Sequence, residues 1–92
     1  MGMNTALKTR QILTNAMGVL GIEFIAAAQA LDFREYTPGV GTRAGQAAVR
    51  EVVEHLDEDR PLFPDHNHMM EAVERLDVLR AVENSVGSLD TY

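Results

Sequence analysis

The sequence predicts an all-α fold of three helices packing into an oligomeric bundle. Three observations carry that expectation. Apolar residues recur at three- and four-residue spacing, with no alternating run of the kind a strand needs. The prolines, Pro38, Pro61 and Pro64, fall at two places and cut the chain into three proline-free stretches. The first of those stretches is apolar around its whole circumference, which a helix tolerates only when it is buried on every side.

The first helix is expected over about 4–33, with Asn4 or Thr5 accepting a backbone N–H at its start. Its first half is amphipathic, setting Leu7, Ile12 and Leu13 against Lys8, Thr9, Arg10 and Gln11. From Ala16 to Leu31 only Glu23 and Gln29 are polar, and Gly18, Gly21 and Ala26 to Ala28 let neighbouring backbones approach closely. Pro38, Gly39 and Gly41 then break the helix, and Thr42 is the expected cap of a second one over about 43–56. Ala44, Ala47, Ala48, Val52 and Leu56 form its apolar stripe. After the LDEDRPLFPD turn, Asp65 is placed as the cap of a third helix over about 66–86. Met69, Ala72, Val73, Leu76 and Leu79 form the stripe of that helix, and Gly87 lies at its end. Two narrow stripes cannot cover a helix that is apolar all round, so part of the first helix must meet other protein.

Ninety-two residues allow one domain, and 46% hydrophobic content excludes wholesale disorder. A net charge of −6 argues against nucleic acid and against anionic lipid as partners. The absence of cysteine removes disulfides, thiolate metal sites and thiol nucleophiles, and fits a cytoplasmic setting. No signal-peptide pattern opens the sequence. The apolar run from Ala16 to Leu31 would extend about 24 Å as a helix, short of a hydrocarbon core of about 30 Å, and carries Glu23 in its middle. The expectation is a soluble protein without a membrane span.

Residues that might carry chemistry are few. His66 and His68, beside Asp65, have the composition of a metal site, but alternate residues on a helix diverge by about 200°, so exposed histidines are expected instead. His55 is expected to complement the end of the second helix. Glu23, alone in an apolar stretch, is read as a structural ion pair with an arginine or a packing point across helices rather than a catalytic acid. One carboxylate of Asp57, Glu58 and Asp59 is expected to pair with Arg60. No phosphate-binding glycine loop, HExxH or nucleophile elbow occurs. No catalytic, cofactor or metal residue is assigned. Ile22, Glu23, Ile25, Gln29, Asp59 and Arg60 are assigned to structure and assembly.

Four stretches, in order, resemble the C-terminal end of the histidine/phenylalanine ammonia-lyase (aromatic amino acid lyase) family. Met1-Gly2 is similar to the close of the family's QEDHVSMG-like segment. Residues 8–34, KTRQILTNAMGVLGIEFIAAAQALDFR, resemble the long helix that follows it, with Thr9, Arg10, Leu20, Ile22, Glu23, Ala27, Ala28, Gln29 and Asp32 at matching places. Pro38-Gly39 with Gly41-Thr42 resembles a GxGT connector, and residues 56–65, LDEDRPLFPD, an LDEDRxLxPD turn.

The resemblance implies a carbon–nitrogen lyase that eliminates ammonia from an aromatic, histidine-like amino acid to give an α,β-unsaturated acid. It also implies a cofactor, the methylidene-imidazolone group formed from Ala-Ser-Gly, and that tripeptide is not present here. The family's catalytic tyrosine and substrate contacts would precede Met1, which would itself stand at an internal methionine, and neither Tyr36 nor Tyr92 matches them. Residues 1–92 are thus expected to be one helical segment without the catalytic N-terminal and central parts, inactive alone. The expected partner is a second copy (a dimer or tetramer) or the missing remainder of a lyase. The competing expectations are a free-standing, self-associating helical module and, more remotely, a metal-binding protein using His66 and His68.

Overall fold

Two helix pairs build the molecule. In the computed structural model, which describes residues 2–90, the helices are α1 (Gly2–Asp32), α2 (Val40–Arg50), α3 (Phe63–Glu74) and α4 (Asp77–Val86). Met1 and Tyr92 lie outside the described residues. α1 packs chiefly on α3 and α2 chiefly on α4, giving a thin slab of 53 × 39 × 17 Å. The all-α expectation holds among the described residues, with four helices in place of three.

α1 begins at Gly2, so Asn4 and Thr5 lie inside the helix rather than capping it. The Thr9 hydroxyl donates back to the Thr5 carbonyl at 2.9 Å. α3 docks where α1 has little bulk. A Cβ on Gly21 would stand 3.3 Å from His66 Cδ2 and 3.4 Å from Met70 Cγ, so the absent side chain sets how closely the two helices approach.

α2 starts three residues before the expected position. Its N-cap is Gly39, without a side-chain hydrogen bond, and Thr42 lies in the first turn. It ends at Arg50, well short of residue 56. There the Arg50 guanidinium donates to the Val53 carbonyl at 3.1 Å, holding the chain as it turns away. That turn buries Val53 and leaves Val52 and Leu56 half-buried, while Ala47 is exposed and its neighbour Val49 is in the core.

The third predicted helix is two helices. Leu76 takes a left-handed conformation, φ 62° and ψ 30°, between α3 and α4. This costs a non-glycine residue about 1–2 kcal/mol. Met69, Ala72 and Val73 face the core as expected, but the bend turns Val78 into it and leaves Leu76 and Leu79 exposed. Asp77 follows the bend and takes the Arg75 guanidinium at 3.1 Å. α3 itself starts at Phe63 with Leu62 as N-cap, so Asp65 sits in the first turn and does not cap it. Gly87, at φ 89°, ends α4 as expected.

The core comprises Ala28, Ala48, Val49, Val53, Met69, Ala72 and Val78, with Phe24, Ile25 and Val82 packed against it. Only Gly21 and Ala28 of α1 are buried. Met69 is 0% exposed, so Met69→Ala should cost about 2–5 kcal/mol in urea unfolding. Met3→Ala, on the exposed end of α1, should leave the midpoint of the same chain almost unchanged.

Candidate functional site

The last turn of α1 carries the densest polar network among the described residues. Gln29 and Asp32 lie three apart and share a helix face. Gln29 closes a two-way bond with the backbone of Leu56: its Nε2 donates to the carbonyl at 3.0 Å, and its Oε1 accepts from the N–H at 3.1 Å. Arg50 also donates to Gln29 Oε1, at 3.2 Å. The Asp32 carboxylate accepts from Gln46 at 2.7 Å, from Arg50 at 2.5 Å and from His55 Nδ1 at 2.5 Å. One carboxylate therefore ties α1 to α2 and to the segment after it.

The hydrogen bond from His55 is the largest influence on Asp32. Partial burial pushes its carboxyl upward, while Arg50 contributes a further hydrogen bond and its charge. The net effect holds the carboxyl below its ordinary value of 3.8. His55 lies edge-on to Phe33, with ring centroids 6.0 Å apart. His55 thus serves α1 through Asp32, where the sequence suggested a role at the end of α2. Among the described residues no hydroxyl bonds to the imidazole–carboxylate couple: His55 Nε2 lies 3.4 Å from Asp57 Oδ1, which is another acceptor.

Arg60 fixes the next turn. Its Nε donates to Asp65 at 3.0 Å, and its other nitrogens donate to the carbonyls of His55 and Glu54. The expected pairing with a carboxylate of residues 57–59 is replaced by Asp65, and Asp59 is exposed. His66 is half-buried, not exposed, and its Nε2 donates to the Gly18 carbonyl at 2.9 Å. That bond ties α3 to the small-residue stretch of α1. Among the described residues no three His, Cys, Asp or Glu side chains gather, so the metal-binding reading finds no support.

The second feature is apolar surface. Ile12, Val19 and Ile22 are 65%, 56% and 58% exposed, and every residue of α1 from Gly2 to Ala16 is exposed. Ile25 is half-buried against the core. Glu23 is exposed and has no hydrogen bond or ion pair among the described residues, so the expected pairing with an arginine within the chain is absent. An open groove of about 430 Å³ runs between α1, α2 and α4, past Phe24, Leu31, Val82 and Leu89. A second groove of about 280 Å³ lies beside Ile22, Ile25, Leu56 and Leu62. By length and composition α1 also meets the requirement for crossing a membrane, a test that core helices of soluble proteins pass as well.

The family model "Aromatic amino acid lyase" matches residues 1–54. The chain belongs to the aromatic amino acid lyase family. A histidine ammonia-lyase of Alkaliphilus metalliredigens (strain QYMF) is 41% identical over 90 residues, covering 97% of this chain and 18% of the relative. A histidine ammonia-lyase of Myxococcus xanthus (strain DK1622) is 43% identical over 86 residues, covering 92% of the chain and 17% of the relative. The histidine ammonia-lyase of Anaeromyxobacter dehalogenans (strain 2CP-C) is 47% identical over 77 residues, covering 83% and 14%. This lyase-family chain therefore spans less than a fifth of the length of these curated relatives. No solved structure gives a significant match.

Of the residues assigned from sequence, Gln29 and Arg60 hold turns, Ile22 and Ile25 border one groove, and Glu23 and Asp59 face outward. His55 was given only a role at the end of the second helix, and Asp32, Gln46 and Arg50 were not assigned. Their signal was present in the i, i+3 pair Gln29/Asp32 and the i, i+4 pair Gln46/Arg50, which place matching donors and acceptors on single helix faces.

The Asp32 network predicts acid sensitivity of a defined sign. A carboxylate whose folded pKa is depressed stabilises the fold fully above about pH 5. The contribution fades as pH falls through 3.8 toward the lower folded value. The thermal midpoint should drop over that window, and Asp32→Asn should lower the midpoint at pH 7 while flattening the acid dependence.

Proposed function

We propose that this chain is the C-terminal helical packing part of a histidine-type ammonia-lyase. The intact enzyme eliminates ammonia from the amino acid to give an α,β-unsaturated acid. The chain supplies helix packing and assembly and no reacting group. The observation that carries this reading is the match to histidine ammonia-lyases over nearly its whole length, 41% identical over 97% of the chain in one case. The bare apolar length of α1 supports it, because that surface suits a larger helical body.

The family's electrophile needs Ala-Ser-Gly, which this sequence lacks, so the group would be supplied by another part of the enzyme. The residues described above do a different task. Gln29, Asp32 and Arg60 fix the angle at which the segment after α2 leaves α1. The apolar side of α1 then meets either a second copy or the rest of a lyase. The setting is cytoplasmic and soluble, with Glu23 in the middle of α1 opposing residence in a bilayer.

Fragment complementation tests the proposal. A full-length relative, shortened by the region this chain matches, should be inactive alone and should regain ammonia elimination from histidine when co-expressed with this chain. Urocanate absorbance reports the product. Complementation that fails while both polypeptides are soluble and folded would contradict the proposal, and so would turnover by the 92 residues alone. Ile22→Asp places a charge on the exposed apolar face, so it should abolish complementation with little change in the chain's own helix content.

A further inference from the structure

The exposed side of α1 carries a charge pattern with its own symmetry. Advancing about 100° per residue, Lys8, Ile12, Asn15, Val19, Glu23 and Ala26 fall on one stripe within about 80° of arc. The residues that meet the body of the molecule, Met17, Gly21, Phe24 and Ala28, fall on the opposite side. Every residue of the stripe is exposed, and its spacing of four, three, four, four and three is that of a helix–helix seam. Lys8 and Glu23 stand near its two ends, about 22 Å apart along the axis. Neither has a hydrogen bond or ion pair among the described residues.

We propose that this stripe pairs with the same stripe of a second copy, antiparallel, about a two-fold axis crossing α1 between Asn15 and Ala16. In that register Lys8 lies opposite the second copy's Glu23, and Ile12 lies opposite the second copy's Val19. The two-fold axis makes each contact occur twice. An isologous interface must be self-complementary, and four of the six stripe residues meet that condition, Lys8 with Glu23 in charge and Ile12 with Val19 in bulk. The pairing covers Ile12 and Val19, and it gives the charge of Glu23 a partner that the described residues of its own chain do not offer. Asn15 meets the second copy's Ala16 at the axis and Ala26 meets its Thr5, so each of these contacts has one small side chain.

The proposal rests on the assembly part of the function proposed above and adds its register. The test uses the 92-residue chain and measures self-association by sedimentation. Lys8→Glu and Glu23→Lys should each weaken association by roughly tenfold or more, since each places two like-charge contacts in the interface. The double variant Lys8→Glu/Glu23→Lys should regain the affinity of the original chain. The sequence has no cysteine, so disulfide trapping has no background. An equal mixture of Ile12→Cys and Val19→Cys chains should form the mixed disulfide in preference to either homodimer. All six side chains of the stripe are exposed, so these variants should keep the circular dichroism of the original chain. If the chain associates but the charge reversals have no effect, or the mixed disulfide is not favoured, the register is overturned while the lyase reading stands. A chain that stays monomeric across the micromolar range overturns both the register and self-assembly, leaving complementation to decide the lyase reading.

Discussion

The length of apolar α1 constrains everything else in this molecule. A helix of 31 residues is about 46 Å long, yet its buried residues, Gly21 and Ala28, lie in its C-terminal half, and residues 2–16 are all exposed. Hydrophobic burial contributes roughly 25 cal/mol per Å², so leaving the N-terminal half bare forgoes a large part of the stabilisation the sequence encodes. The core within the chain is correspondingly small, made of alanine, valine and one methionine. Its side chains sit at the junction of α1, α2, α3 and α4 and leave the first half of α1 untouched.

A second constraint follows from the first. A small apolar core fixes helix directions weakly, and here hydrogen bonds supply the missing direction. Gln29 holds both backbone groups of Leu56, while Asp32 gathers Gln46, Arg50 and His55. Arg60 does the same for the turn that leads into α3, using Asp65 and two carbonyls. Every one of these bonds joins parts of the chain that the apolar stripes alone would let slide. The polar turns thus position the segment, while the first half of the apolar helix lies exposed.

Much of the fold was legible in sequence, for identifiable reasons. Pro38, Pro61 and Pro64 gave the breaks, because a proline ring stops a helix whatever surrounds it. The apolar run around α1 gave the surface that α2, α3 and α4 leave exposed. The break at Leu76 was not legible. No glycine, proline or cap marks it, and the apolar period runs straight through, so only packing of Val78 and Val82 against α2 decides it. The early end of α2 has the same origin, since Val52 and Leu56 keep helical spacing while the chain is drawn off by Gln29 and Arg50. His66 was read as exposed because nothing local shows that the small residues of α1, forty-eight positions away, leave a carbonyl within its reach. The network around Asp32 was within reach of sequence reasoning, through residue spacing, but only once the angle between α1 and α2 is known.

The central claim is that the first half of α1 is covered by other protein and not by its own chain. Amide hydrogen exchange measured at rising protein concentration addresses it directly. Amides in residues 2–16 should exchange quickly in dilute solution and become protected as the chain assembles, while those flanking Met69 keep the same protection throughout. Strong protection of residues 2–16 in the monomer, or fast exchange there at every concentration, would contradict the account.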